Sequence, residues 1–177
     1  LSNGKNVTIQ NGMVELRRIQ KTINGEWFTP HVIEPAFGID RIVWHILDHS
    51  FDRTEKEGET YDILRLSEQV APYDAVVLPL FNKDGMPEMA NQIYNQMCTN
   101  KGIIPTIDAF GKSIGRRYAR ADEIGIPWAI TIDHQSTTDN TVTVRKRDNQ
   151  QQIRMDIQEV ISALAIGNLA ESSKWQN

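Results

Sequence analysis

Cysteine is nearly absent. Cys98 is the only one in 177 residues, which excludes an internal disulfide and a cysteine-built metal cluster. Long apolar runs are missing too. Nothing approaches the roughly 20 residues of a membrane-spanning helix, and no secretory leader is visible, so a reduced, cytoplasmic setting without a membrane partner is expected. The four histidines, His31, His45, His49 and His134, lack metal-ligand spacing. His45 and His49 are four apart, but no third ligand is near in sequence, and no metal site is expected. Positive charge is not in surplus: 19 Lys and Arg against 23 Asp and Glu give a formal charge of −4. This excludes a general nucleic-acid coat and leaves local basic clusters as the only route to RNA. There is no internal repeat or low-complexity tract. The chain opens on Leu1 rather than Met and is expected to be a piece of a longer protein.

The apolar residues that remain are patterned in two ways. Up to residue 66 the pattern is that of strands and one helix. Asn11-Gly12 and Asn24-Gly25 separate short extended runs, and such pairs are strong hairpin signals, so an antiparallel meander is expected over residues 1–38. Its last strand is Thr29–Phe37. There Pro35 suits a strand end, and Gly38 is expected to supply the turn into a helix. Ile42, Val43, Ile46, Leu47 and Phe51 then recur at helical spacing. Arg41 falls on the first turn of that helix, where anions gather. A carboxylate, Glu34, and a guanidinium thus flank a tight corner; the first suits an amine and the second a phosphate. Residues 52–60 are charged and aperiodic and read as a loop.

From Tyr73 the pattern is regular α/β. Ala75–Leu80 is a buried strand, followed by a helix begun by Pro87 and carrying Met89, Ile93, Tyr94, Met97 and Cys98, the last read as a small buried hydrophobe. Gly102 ends that helix. Ile103–Ile107 is a strand, Ser113 to Gly125 a helix, Pro127–Asp133 a strand, 134–140 a loop and Thr141–Arg147 a strand. A final helix is read from Asp148, with Gln151 completing a capping box, through Ile153, Ile157, Val160, Ile161 and Leu164. The expected fold is α/β, a mixed and mostly parallel sheet with helices on both faces, preceded by a partial antiparallel strand and helix remnant. The expected domains are residues 1–66 and 67–177.

Glu34-Pro35-Ala36-Phe37-Gly38-Ile39-Asp40-Arg41 resembles motif 3 of the class II aminoacyl-tRNA synthetases, in the form found in archaeal and eukaryotic-type glycyl-tRNA synthetases. The run Gly115-Arg116-Arg117-Tyr118-Ala119-Arg120-Ala121-Asp122-Glu123-Ile124-Gly125-Ile126-Pro127, with Thr141–Asp148, resembles the anticodon-binding domain of the same family. The resemblance implies that residues 1–66 end a catalytic domain and that 67–177 bind the tRNA anticodon. It implies a glycine site at Glu34, Pro35 and Ala36, and ATP contact by Arg41. Ala36 stands where the family usually has serine, and a lost hydroxyl bond of that kind is worth about 0.5–1.5 kcal/mol. The parent reaction it implies activates glycine with ATP and Mg2+ and passes it to glycine tRNA, in a homodimer. No catalytic residue is assigned within this piece, and alone it is expected to be inactive.

The anticodon contacts are expected at Arg116, Arg117, Arg120, Asp122, Glu123 and Arg145. Arginines supply forks and stacking planes for unpaired bases, and carboxylates accept from cytosine amino groups; Asp133 is a further candidate acceptor. Glycine anticodons end in two cytosines, a point the resemblance supplies. Tyr118 and Trp128 read as core or rim aromatics. Two other readings stand beside this one. The first is a non-catalytic, anticodon-domain-like module that binds RNA or protein. The second is the matching piece of a threonyl, prolyl or histidyl synthetase.

Overall fold

The computed structural model describes residues 3–56, 58–109 and 111–176. The chain divides into two units, Leu1–Ala36 and Phe37–Asn177. In the first, the expected meander is absent: no strand occurs among the described residues up to Gly38. One turn survives, closed by Met13 N–H donating to Gln10 O at 3.0 Å. Leu16, Trp27 and Ile33 are exposed. An isolated two-stranded ribbon is marginal without a surface to bury its apolar side, and nothing within this unit offers one.

The second unit opens with helix α1, Ile39–Ser50, which starts after Gly38 as the apolar spacing predicts. Gly38 itself has φ −76°, so the corner needs no left-handed backbone. Residues 52–60 correct the expected loop. They belong to an antiparallel hairpin of β1, Phe51–Lys56, and β2, Glu59–Leu64, with Glu57 outside the described residues. Arg53 faces Asp62 across the ladder, its Nε donating at 2.6 Å, and Gly58 turns the chain at φ +82°. Cross-strand charge pairs of this kind stabilise a ribbon that lacks apolar alternation. The antiparallel remnant thus exists, at residues 51–64 and not in the stretch before α1.

The remaining elements are β3 (Ala75–Pro79), α2 (Met86–Thr99), β4 (Pro105–Ile107), α3 (Ile114–Glu123), β5 (Trp128–Ile132), the short α4 (Ser136–Asp139), β6 (Thr141–Lys146), β7 (Gln152–Asp156) and α5 (Ile157–Ala165). The sheet order is β4-β3-β5-β6-β7. β3 pairs in parallel with β4 and β5, and β6 runs antiparallel to both its neighbours. All strands but β6 therefore point one way, the expected mixed, mostly parallel sheet. The strand β7 corrects the final helix, which begins only at Ile157 with Asp156 capping the N–H groups of Gln158 and Glu159. Ile153 and Met155 alternate with polar neighbours, a period-2 pattern, and Gln150 at φ +59° closes the turn before them.

Strand alternation sorts side chains onto two faces. Ala75, Val77, Trp128, Ile130, Val142, Val144 and Met155 pack against α2 and α5 in the main core. Val76, Leu78 and Ala129 face the other way, with Ala121 and Ile126, and with Ile114 and Tyr118 packed around them. Cys98 is exposed rather than buried, because Met97, one place earlier, takes the inward position on α2.

The end of α3 meets the exit of the hairpin at Gly125. Its φ is +83°, and a Cβ there would lie 2.7 Å from Leu66 Cδ1. Gly125→Ala should lower stability by about 1–2 kcal/mol from the left-handed backbone alone, with the clash added. Gly115→Ala, in open space on α3, should be neutral or raise stability by about 0.5–1 kcal/mol. Urea denaturation of the two variants checks the contrast.

Candidate nucleic-acid interface

The face of the sheet that α3 covers is partly polar. Because Val142 and Val144 point into the main core, alternation turns Thr143 and Arg145 toward α3, and Arg147 continues the same side just past the strand. Helix α3 is therefore seated largely by polar bonds. Arg117 is buried, and its guanidinium donates to the carbonyls of Pro79 at 2.7 Å, Asp108 at 3.1 Å and Leu80 at 3.2 Å. Tyr118 Oη shares a hydrogen bond of 2.6 Å with Thr131 Oγ1. Asp122 accepts both terminal nitrogens of Arg145 at 2.9 Å each. The Arg145 guanidinium also lies over the Tyr118 ring, 4.7 Å from its centroid. Burial raises the Asp122 carboxyl above its ordinary value, and the Arg145 guanidinium pulls the other way. Arg147 donates to Gly125 O at 2.9 Å and Leu66 O at 2.8 Å.

Three of the six expected RNA contacts are thus committed inside the protein. Arg117 and Arg145 are 3% and 6% exposed, and Asp122 is 6% exposed; what little surface Asp122 and Arg145 keep faces the cleft that Arg116 borders. Asp133, the further acceptor considered, is held by Arg154 at 2.6 and 3.0 Å. Three candidates remain at the surface. Arg116 is exposed and without a partner among the described residues. Arg120 is exposed, with one nitrogen on Asp108 at 2.9 Å and the rest of its fork open. Glu123 is exposed. Tyr118 and Trp128 serve the interior, Trp128 being 1% exposed.

Arg116 borders a cleft of about 840 Å³ between the start of α3, the hairpin and the β6–β7 turn, where Ser113, Glu59, Asn149 and Gln152 also line it. A second group lies outside the carboxyl ends of β3 and β5, where the strand order reverses and open α/β sheets bind ligands. Phe81 is exposed there, its ring 5.8 Å from that of His134 and 5.6 Å from Lys83 Nζ. His134 Nδ1 is 3.8 Å from Asp84. Sequence patterning did not single out Phe81 or Lys83; the signal was an aromatic and a cation just beyond the end of a buried strand. Arg117 ties this region to α3 through its bonds to residues 79, 80 and 108.

The expected glycine and ATP residues divide between the two units. Glu34, Pro35 and Ala36 are exposed, outside any helix or strand at the end of the first unit. Arg41 is exposed on the first turn of α1 in the second. Around it α1 has no buried residue, and Ile42, Val43, Trp44 and Leu47 are all exposed.

Comparison with known proteins bears on the family and the fold. The family model described as the anticodon binding domain matches residues 74–165. The glycine–tRNA ligase of Methanocaldococcus jannaschii is 48% identical over 162 residues, which is 92% of this chain and 27% of that protein. Those of Methanothrix thermoacetophila and Archaeoglobus fulgidus are each 41% identical over 92% of the chain and 28% of their own lengths. The chain thus spans about a quarter of the curated relatives it matches. Among solved structures, the RNA binding domain of threonyl-tRNA synthetase from Cryptosporidium parvum Iowa II superposes with a TM-score of 0.52 at 19% identity, covering 58% of this chain and 25% of that one. This last likeness is one of fold.

Arg154 holds the Asp133 carboxyl down at about 2, below its ordinary 3.8. A depressed carboxylate stabilises the fold fully above its unfolded value and loses that contribution as pH falls through the folded one. Asp133→Asn should therefore flatten the stability loss between about pH 4 and pH 2, as read by urea midpoints across that range, and leave the pH dependence above 5 unchanged.

Proposed function

This chain belongs to the anticodon-binding-domain family, and from that premise we propose that it reads the anticodon loop of glycine tRNA as part of a glycine–tRNA ligase. The observation that carries the reading is the sorting of the α3 arginines. Arg117 is bound inward, while Arg116 and Arg120 share the outward side, four residues apart. Guanidinium groups on one helical face match phosphates and can stack on unpaired bases. Arg120 adjoins Asp108 at the carboxyl-end crevice, where Phe81 and His134 offer rings for stacking. Lys112, exposed in the loop before α3, adds a further cation. Glu123, the exposed acid on the same helix, accepts from a cytosine amino group.

The whole protein on this reading joins glycine to its tRNA with ATP, Mg2+ accompanying the nucleotide, as a homodimer in the cytoplasm. Glu34 is a carboxylate of the right sign for the glycine amine, with Pro35 and the small Ala36 next to it in the chain. Arg41, a cation on a helix's first turn, suits the ATP phosphates. Among the described residues, no helix is long and apolar enough to cross a membrane. The ligase reading is favoured over a purely binding module by identities of 41–48% to glycine–tRNA ligases over 92% of this chain.

Arg116→Ala combined with Arg120→Ala should weaken binding of a glycine tRNA anticodon stem-loop. The slope of log affinity against log salt should fall by about 0.7 for each single-strand phosphate that the variant no longer neutralises. Fluorescence anisotropy over a salt series measures both. An unchanged affinity and slope would remove these residues from the interface.

A further inference from the structure

Helix α3 has little apolar grip on the sheet. The side chains it turns inward within the smaller core are Ala121, with Ile114 and Tyr118 beside it. Alanines leave a helix free to roll, since they interlock with nothing. Its rotation is fixed instead by directional bonds. Tyr118 and Asp122 stand four residues apart, on one side of the helix, and both meet Arg145. The guanidinium lies on the Tyr118 ring at 4.7 Å, and its two nitrogens fork onto Asp122 at 2.9 Å each. Arg116 and Arg120 each precede one of these anchors by two residues. At about 100° per residue, two residues are a rotation of roughly 200°. Anchoring 118 and 122 to the sheet therefore turns 116 and 120 outward.

We infer that Arg145 and Asp122 are positioning residues for RNA binding: their buried fork, stacked on Tyr118, sets the roll of α3 that presents Arg116 and Arg120 to the tRNA. The inference rests on the proposed function above. Arg145 acts through the outward arginines and makes no RNA contact of its own. A buried ion pair contributes little net stability relative to an apolar pair of similar volume, and its directional geometry is what an apolar pair cannot copy. Replacing both partners should therefore separate folding from presentation.

The test uses the 177-residue chain and a labelled glycine tRNA anticodon stem-loop. Four proteins are compared: wild type, Asp122→Leu with Arg145→Met, Arg116→Ala with Arg120→Ala, and the combination of all four changes. Circular dichroism and thermal melting report the fold. The buried-pair variant should melt cooperatively and bind at least about tenfold more weakly, within the range for loss of an RNA-contacting arginine. Adding the two outward substitutions to it should cost little more, because residues acting through one another are not additive. Losses that multiply would mark Arg145 as an independent contact and overturn the inference. Unchanged affinity in a folded buried-pair variant would mark the fork as structural only and overturn it equally. If that variant does not fold, Arg145→Lys, which keeps the charge and loses the fork, carries the same cycle with the same two contrary outcomes. Should the outward pair alone have no effect in the wild-type background, the proposed RNA face fails instead.

Discussion

Helix α3 sits on a sheet face where threonine hydroxyls and guanidinium groups share the surface with Val76, Leu78 and Ala129. The Asp122–Arg145 fork is the centre of that contact, with both side chains almost fully buried. Breaking one member of such a pair leaves a charge stranded, at a cost of about 3–5 kcal/mol. The surrounding bonds distribute the constraint. Arg117 reaches three carbonyls at and just past the ends of β3 and β4, and Arg147 joins the end of α3 to the hairpin exit through Gly125 and Leu66. Arg117 Nε is buried without a partner among the described residues, but the other guanidinium contacts in this layer are made to specific acceptors, and these directional bonds orient the cations left over on α3.

That division of labour reconciles an acidic protein with an RNA partner. A formal charge of −4 gives no general attraction to phosphate. Within the sheet unit, Lys83, Lys112, Arg116 and Arg120 reach solvent at α3 and the adjoining loops. Lys83 lies beside the exposed Phe81 ring near the point where strand order reverses, and Arg116 borders the cleft toward the hairpin. Reading a loop of unpaired bases asks for this combination of fixed cations and stacking surfaces.

The α/β core was legible because its signals were local. Ala75–Pro79 and Trp128–Ile132 are uninterrupted apolar runs, and they are buried at every position. Tyr61–Leu66 reads as extended from the sequence, but the first strand of the hairpin at 51–64 was hidden because its ladder is stabilised by charge pairs such as Arg53–Asp62, which carry no hydrophobic period. β7 was merged into the final helix because Ile153 and Ile157 also fit a spacing of four. The meander read from the Asn-Gly pairs failed for a different reason: turn chemistry was present, but no surface was available to bury the strands. The interface was half legible. The cluster of arginines on α3 was evident, but which of them face inward depends on the polar character of β6's second face. That follows only from knowing that Val142 and Val144 belong to the opposite core. Arg116 and Arg117 are neighbours of identical type, and a rotation of one residue gives them opposite roles.

If fixed cations and stacking rings read the loop, this sheet-and-helix unit distinguishes one anticodon from others. The most direct measurement is the affinity of the chain for glycine tRNA beside a transcript in which the two terminal anticodon cytosines are changed and nothing else is. A selective loss of binding to the altered transcript, at fixed salt, is the predicted result; equal affinity for the two transcripts would contradict it.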